Sequence, residues 1–123
     1  MQEELTVSTQ RLPINGDHVL CVTLKGDFVW SSNVALDEIA LEQLETNTRA
    51  IMIDLSDVGI IDSRGLGLLT TLSVRIIKKK MGFVLVGVSS RIEDMMRASS
   101  LVGLFVIKET QQEAMDYLRS GCD

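Results

Sequence analysis

A strand, a helix and a second strand are predicted in succession over residues 50–88, whose sequence is AIMIDLSDVGIIDSRGLGLLTTLSVRIIKKKMGFVLVGV. The runs Ala50–Leu55 and Phe83–Val88 are short, mostly apolar and bounded by polar segments, which is typical of strands buried on both faces. Strands that alternate with helices pair in parallel through right-handed crossovers. We therefore predict a parallel pair here, with Ala50–Leu55 as the central strand of the sheet.

The helix between these strands begins after a predicted loop, Ser56–Asp62, and continues to a run of lysines. Apolar residues recur along it at helical spacing, at Leu69, Leu72 and Ile76. The run Lys78–Lys80 suits a helix C-terminus, because cations there meet the negative end of the helix dipole. We predict Gly82 as the residue that caps this helix.

Two further strands precede this unit. Alternating apolar and polar residues predict a half-buried strand at Leu5–Thr9, and a β-rich run predicts another at His18–Leu24, with a turn at Pro13–Asp17. The second strand is predicted to end at Lys25–Asp27. Ser31–Asn33 offers N-cap candidates for a helix whose apolar residues recur at Leu36, Ile39, Ala40 and Leu44.

Two helices and one strand complete the pattern after the second buried strand. Ser90 and Glu93 have the spacing of a capping box, Leu104–Ile107 is predicted as the last strand, and Thr110 with Glu113 forms a second capping box. The first two strands can pair as a hairpin while the others pair in parallel. The predicted fold is therefore α/β with a mixed β-sheet, in the order β-β-α-β-α-β-α-β-α.

The composition fits one folded domain that spans residues 1–123. The chain is 46% hydrophobic, 4% aromatic and 24% charged and contains a single Pro, which excludes a disordered tail or a fibre. A chain of this size buries roughly two-thirds of its unfolded surface. That is enough for one core and too little for two domains.

The net charge of -5 and a pI near 4.8 argue against broad binding to nucleic acids or anionic membranes, since both need a basic surface. The charge is uneven, because residues 1–62 carry eleven acidic and three basic side chains, whereas residues 63–123 carry nine basic and six acidic ones. Cys21 and Cys122 have neither metal-ligand spacing nor the density of a disulfide framework. The N-terminus lacks signal-peptide features, and no apolar run is long enough to span a bilayer, so we expect a cytoplasmic protein without membrane insertion.

Signals for catalysis are weak. The single histidine, His18, has no Ser or Cys nucleophile placed near it by a recognised motif, so a surface or half-buried structural histidine is favoured. Asp54, Asp57 and Asp62 are more typical of turn and cap residues than of a metal or acid–base site. The glycines that open the helix lack the third glycine of a dinucleotide loop, and the lysine run lacks a Walker loop. We predict no enzymatic activity, no cofactor and no metal.

A serine stands at the predicted start of the helix, within residues 62–67 (DSRGLG). A phosphate on Ser63 would face free backbone N–H groups and the positive end of the helix dipole, so the position tolerates phosphorylation. Spacing alone favours the simpler interpretation that Ser63 or Asp62 is the N-cap. Gly65 and Gly67 are costly in a helix unless another group approaches the backbone, which either a contact surface or internal packing explains.

Several segments resemble, in order and spacing, the STAS domain of bacterial anti-sigma factor antagonists. They are residues 53–58 (IDLSDV), residues 61–68 (IDSRGLGL), Lys25–Asp27 and the closing Leu101, Phe105, Ile107 and Glu113–Ala114. The resemblance covers nearly the whole chain, and its specific part is the DSxGLG stretch that follows a DLSxV strand end. It implies a mixed β-sheet with helices, the same order that the pattern predicts.

The resemblance implies a partner-switching protein. In this family the serine after the aspartate is phosphorylated by a GHKL-type partner that is both serine kinase and anti-sigma factor, so Ser63 is the implied phosphoacceptor. The unmodified antagonist binds this partner and releases its client, a sigma factor or another protein. Phosphorylation breaks the complex and a PP2C-type phosphatase restores it. We expect a free-standing, monomeric, bacterial regulator of transcription.

We expect the partner to contact two segments around the serine. They are Asp27, Trp30 and Ser32 in the first, and Asp62, Arg64, Gly65, Leu66 and Gly67 in the second. An exposed Trp30 suits an interface anchor, but packing over the first helix is favoured because large aromatic residues are mostly buried.

Four positions depart from the family pattern. Val29 stands where a second acid is common, Arg64 replaces a common second serine, and Ser100 and Val102 stand where the family often has Gly and Asp. These departures indicate a partner surface that differs from the usual one.

Two other classes of function compete with the phospho-regulated switch. One is a structural STAS module in a signalling scaffold or a lipid-transport complex, which would act independently of Ser63. The other is a small enzyme or nucleotide-binding protein that uses the loop Asp54–Gly67, which the weak catalytic signals disfavour.

Overall fold

The structure, a computed structural model, describes residues 4–29 and 40–120. In these segments the chain forms five strands: Thr6–Ile14 (β1), Asp17–Phe28 (β2), Thr48–Ile61 (β3), Gly82–Val86 (β4) and Val106–Lys108 (β5). The helices after β3, β4 and β5 are Ser63–Lys78 (α1), Ser90–Ala98 (α2) and Gln111–Arg119 (α3), and a 3-10 turn, Val102–Leu104, precedes β5. Residues 40–42 are helical, and the predicted helix ends before Leu44, which is not helical; its earlier part lies in residues 30–39, outside the described residues.

The strands form one mixed sheet in the order β1-β2-β3-β4-β5. β1 and β2 pair in antiparallel fashion, and β2, β3, β4 and β5 pair in parallel. This confirms the predicted α/β class, the mixed sheet and β3 as its central strand.

Side chains of β3 enter the core on both faces of the sheet. Ile51, Ile53 and Leu55 pack in the cluster that also contains the buried residues of α1 and α2, whereas Ala50 and Met52 pack in the cluster beneath α3. A strand covered on both faces needs apolar residues at successive positions, which is why residues 50–55 form an almost continuous apolar run.

β2 and β3 continue further than the sequence predicts. The predicted end of β2 at Lys25–Asp27 and the predicted loop at Ser56–Asp62 are wrong, because these segments pair in parallel as far as Phe28 opposite Ile61. The register shifts three times along this ladder. Each shift interrupts the alternation of inward and outward side chains, so the sequence pattern ends before the strands do.

The hairpin between β1 and β2 turns at Asn15 and Gly16, whose φ angles are 45° and 85°. Positive φ at both central residues is the geometry of the two-residue turns that match strand twist. The predicted turn at Pro13–Asp17 was therefore too wide. Pro13 belongs to β1, an edge strand, where a missing N–H is tolerated.

Two predicted helix caps are displaced and one is confirmed. Lys80, and not Gly82, adopts the left-handed conformation after α1, with φ 61°. Ser89, and not Ser90, caps α2 by accepting a hydrogen bond from Ile92 N at 3.2 Å. The capping-box spacing to Glu93 favoured Ser90, but the adjacent Ser89 carries the same capping group and reaches Ile92 N instead. Thr110 caps α3 as predicted, accepting from Glu113 N at 3.1 Å.

A carboxylate joins the central strand to α3. Asp54 Oδ1 accepts a hydrogen bond from Ser56 N at 2.9 Å, and Oδ2 accepts one from Gln111 Nε2 at 2.7 Å. Burial alone raises the pKa of the Asp54 carboxyl, but the hydrogen bonds from Ser56 and Gln111 outweigh burial and hold this pKa below its usual value of 3.8.

Replacing Asp54 by Asn should lower the free energy of unfolding by about 1–2 kcal/mol at pH 7, because hydrogen bonds to a charged group are lost. A lowered folded-state pKa stabilises the protein above the unfolded pKa of 3.8 and ceases to do so as the pH falls through the folded value. The difference from wild type should therefore shrink below about pH 4 in urea titrations. Asp57→Asn, the same change at an exposed position of β3, should stay within about 0.5 kcal/mol of wild type. A difference at Asp54 that does not change between pH 7 and pH 3 would contradict this account.

Candidate functional site

The first turn of α1 is capped by Asp62. Its Oδ1 accepts a hydrogen bond from Gly65 N at 2.8 Å, and its backbone carbonyl accepts from Leu66 N at 2.9 Å. Asp62 has an extended backbone, with φ -101° and ψ 179°, as an N-cap residue requires. The cap is therefore the aspartate of the motif, and Ser63 is the first residue inside the helix.

Ser63 is the first residue of α1 and is exposed at the N-terminal end of this helix. Within residues 4–29 and 40–120 no hydrogen bond to its hydroxyl is found. The first turn of α1 contains no acidic residue. A negative group on the Ser63 oxygen would thus lie at the positive end of the helix dipole, and the carboxylate of the preceding cap residue, Asp62, would be the acidic group next to it in the chain.

The end of β2 is pressed against the start of α1. The carbonyl oxygen of Phe28 accepts a hydrogen bond from Asp62 N at 3.3 Å. A Cβ added to Gly65 would overlap this same oxygen and would stand 3.0 Å from Ile61 Cγ1. Internal packing therefore explains Gly65, one of the two explanations that the sequence left open.

Gly67 has the opposite environment. It is exposed, and a Cβ added there would meet no atom within 4 Å. Glycine in the interior of a helix costs roughly 1 kcal/mol relative to Ala, and no contact among residues 4–29 and 40–120 compensates for it at this position. The second explanation, a contact surface, fits Gly67.

The other predicted partner-binding residues divide into three groups. Arg64 is exposed beside Ser63. Asp27 and Leu66 are only 6% and 2% exposed, so they support the site from within, Asp27 next to Gly59 of β3 and Leu66 in the core. Trp30 and Ser32 lie outside the described residues.

An apolar feature beside the motif was missed by the sequence analysis. Ile60 is 47% exposed at the end of β3 and borders a cavity of about 290 Å³ with Ile61, Arg91 and Met95. Ile60 lies in the predicted loop Ser56–Asp62, and an apolar residue in a loop does not indicate an exposed contact surface. The only available hint was the pair of isoleucines directly before Asp62.

Groups that could support other chemistry are satisfied within the fold. His18 has Nε2 2.7 Å from Thr48 Oγ1, in agreement with the structural role predicted for it, but it is buried, so the predicted surface or half-buried location is wrong. Over the described residues, no group of three or more His, Cys, Asp or Glu side chains could hold a metal ion. Nor does any helix in this part of the chain have the length and apolarity needed to cross a membrane.

Comparison with known proteins identifies the family. The STAS domain model matches residues 11–114, and the chain therefore belongs to the STAS domain family. A comparison with curated protein sequences finds no match.

Solved structures resemble the chain over most of its length. An anti-sigma factor antagonist from Mycobacterium paratuberculosis is 23% identical, with a TM-score of 0.74 over 93% of this chain and 95% of that one. The Bacillus cell fate determinant SpoIIAA in its phosphorylated form is 17% identical, with a TM-score of 0.64 over 91% and 100%. The murine anion transporter Slc26a9 is 14% identical, with a TM-score of 0.75 over 97% of this chain but only 22% of the transporter. At these identities the likeness shows a shared fold.

Replacing the cap should separate the roles of the two adjacent residues. Asp62→Ala should lower the free energy of unfolding by about 1 kcal/mol, because Gly65 N loses its acceptor. Ser63→Ala should change it by less than about 0.5 kcal/mol, because the serine hydroxyl is exposed. Urea denaturation followed by circular dichroism measures both values. Equal losses in the two variants would mean that Ser63 shares the capping role.

The two glycines should respond in opposite directions to the same substitution. Gly65→Ala should destabilise the protein by about 1–3 kcal/mol, because its methyl group meets the Phe28 carbonyl. Gly67→Ala should stabilise it by about 0.5–1 kcal/mol, because the space is open and Ala favours the helix. Thermal denaturation of the matched pair tests this difference, and a destabilised Gly67→Ala would show that Gly67 is a packing residue as well.

Proposed function

We propose that the chain is an anti-sigma factor antagonist whose binding to a serine kinase is switched off by phosphorylation of Ser63. The observation that carries the proposal is the exposed Ser63 hydroxyl at the first position of α1, next to a cap that Asp62 supplies alone. Ser63 is therefore available for phosphorylation without the loss of a structural hydrogen bond. The STAS family match and the likeness to antagonist structures support the same function.

Phosphorylation at this position would act on the partner and leave the fold intact. A phosphoserine adds about -1.5 to -2 charges, which the helix N-terminus accommodates. A partner that covers Ser63 would have to bury this charge next to the Asp62 carboxylate. Repulsion and desolvation then weaken the complex, and every 1.4 kcal/mol lost lowers the affinity about tenfold.

The proposed contact surface surrounds the phosphorylation site. Arg64 and Gly67 are exposed on α1, and Ile60 offers an apolar contact from the end of β3. Gly67 would let a partner approach the helix backbone closely, which accounts for a glycine where Ala would stabilise the helix. Trp30 and Ser32, which follow β2 in the sequence, are further proposed contacts that rest on the family resemblance alone.

The partners follow from the family resemblance. The unmodified chain would bind a GHKL-type serine kinase that is also an anti-sigma factor, and so would release a sigma factor or another client in the bacterial cytoplasm. A PP2C-type phosphatase would reverse the modification. The chain itself would act as a binding module without catalysis.

A second candidate is a structural STAS module that acts independently of Ser63. The observation in its favour is the TM-score of 0.75 with the anion transporter Slc26a9, in which the matched part is a fraction of a much longer chain. In this function the domain would hold a scaffold or transport complex together, and the state of Ser63 would not alter its binding.

Phosphate mapping in lysate of the native host supplied with ATP would test the switch. Ser90 provides a matched control, because it is also an exposed serine at the first position of a helix. Mass spectrometry should find a phosphate on Ser63 in the wild type and in Ser90→Ala, and no phosphate on the Ser63→Ala variant. An undiminished phosphate count in Ser63→Ala would refute the assignment.

Affinity capture with wild type, Ser63→Ala and Ser63→Asp would then test binding. A GHKL-type ATPase should be held by the first two baits, and Ser63→Asp should bind it at least about tenfold more weakly. The melting temperature of Ser63→Asp should match that of wild type, which shows that the loss is not unfolding. Capture of the same non-kinase assembly by all three baits would favour the structural module instead.

A further inference from the structure

An open apolar groove lies at the other end of α1. Ile77 and Leu104 are each 54% exposed, which is the largest exposure among the large hydrophobic side chains that the structure describes. They line a cavity of about 450 Å³ together with Lys80, Met81, Phe83 and Tyr117, and we call these six residues the basal groove. Ile77 lies about 21 Å from Ser63 along the helix axis, near the end of the sheet at which β4 begins.

Lysine residues accompany the basal groove: Lys80 lines it, and Lys78 and Lys79 directly precede Lys80 in the chain. Lys78, Lys79 and Lys80 are exposed at the end of α1, and no ion pair that forms among residues 4–29 and 40–120 includes them. On a chain with a net charge of -5, three adjacent unpaired cations beside apolar side chains form a distinct surface. Such a surface is complementary to a ligand that carries both acidic and apolar groups.

The backbone of Lys80 supplies an independent observation. Lys80 has φ 61°, and its neighbour Met81 N bonds back to Ile76 O at 3.3 Å, as in a left-handed helix terminus. Glycine adopts this conformation without a steric penalty, and lysine does not. The backbone at position 80 therefore favours glycine, so the lysine there indicates a role for its side chain, for which the negative end of the helix dipole and the groove are the two candidates.

We propose that the basal groove binds an acidic amphipathic helix of a partner protein. Apolar side chains of that helix would pack on Ile77 and Leu104, and its flanking carboxylates would meet Lys78, Lys79 and Lys80. This helix-in-groove arrangement needs a concave apolar surface with a charged border, which is what the groove provides. The site is separate from Ser63, and the proposal does not depend on the proposed function.

A membrane surface fits the groove less well than a protein helix does. The apolar groups line a cavity, whereas insertion into a bilayer needs apolar side chains that protrude. The net charge of -5 would also repel the anionic lipids that lysines attract. We therefore assign the groove to a protein segment.

Fluorescence anisotropy with synthetic peptides tests the proposal on the full-length chain. The probe is a labelled peptide of about 18 residues, with Leu at positions i, i+3, i+4 and i+7 and Glu on both flanks. A peptide with Lys in place of Glu and a scrambled acidic peptide serve as controls. The acidic amphipathic peptide should bind at least tenfold more tightly than either control, and its affinity should fall as salt rises.

Variants of the groove separate binding from stability. Lys80→Gly should raise the melting temperature and yet weaken peptide binding about threefold or more, a combination that a purely structural role would not produce. Leu104→Ser should weaken binding at least about fivefold. Lys25→Ala, at an exposed lysine of β2, and Ser63→Asp should leave peptide binding unchanged.

Three results would overturn the proposal. One is that the acidic amphipathic peptide binds no better than its scrambled form. Another is that Lys80→Gly and Leu104→Ser bind it as wild type does. The third is binding to phosphatidylglycerol vesicles that Lys80→Gly abolishes while the peptide does not bind, which would assign the groove to an anionic membrane surface.

Discussion

The contact between the Phe28 carbonyl and the first turn of α1 fixes the geometry of the motif. That oxygen accepts the Asp62 N–H and occupies the space that a side chain at position 65 would need. Because β2 and β3 stay paired as far as Phe28 and Ile61, the carbonyl is held in place by the sheet itself. Asp62 is thereby set at the cap, and Ser63, one residue later, is exposed.

This arrangement explains how a regulatory site can be built on a rigid element. The inner face of α1 is buried through Leu66, Leu69, Leu72 and Ile76. A helix anchored over about three turns cannot tilt in response to one added group without losing that packing. A phosphate on its outer end therefore changes the surface potential more than the conformation. The site also lies beyond the carboxyl ends of parallel strands, where open α/β sheets usually place their binding sites.

The sequence was sufficient to predict an element of the fold where a single physical requirement determines the residues of that element. Two-sided burial of β3 forces a continuous apolar run, and α3 needs a capping hydroxyl, so residues 50–55 and Thr110 were predicted correctly. The ends of β2 and β3 were missed because the register shifts interrupt the period-2 pattern that reveals a strand.

The roles of individual residues at the site were harder to predict, because several residue types can fill the same structural position. Aspartate and serine both cap helices, so spacing could not decide between Asp62 and Ser63. Lys80 took the position for which Gly82 was predicted, since tertiary packing holds Gly82 against Ala50 and Leu118. The basal groove was invisible in sequence because α1, β4, the 3-10 turn and α3 each contribute only one or two of its residues.

Gly67 near the start of α1 and Lys80 just after its end each lower the stability of the folded chain. Gly67 lies in the helix at a position where an added Cβ would meet no described atom within 4 Å, and Lys80 adopts a backbone conformation that glycine prefers. Each is costly for the folded chain, and each faces solvent next to exposed apolar or charged groups. Charges about 20 Å apart are screened beyond the Debye length of about 8 Å in physiological salt. The two surfaces are therefore electrostatically independent, and because the core holds α1 rigidly, the phosphate proposed on Ser63 would leave the affinity of the proposed groove site unchanged.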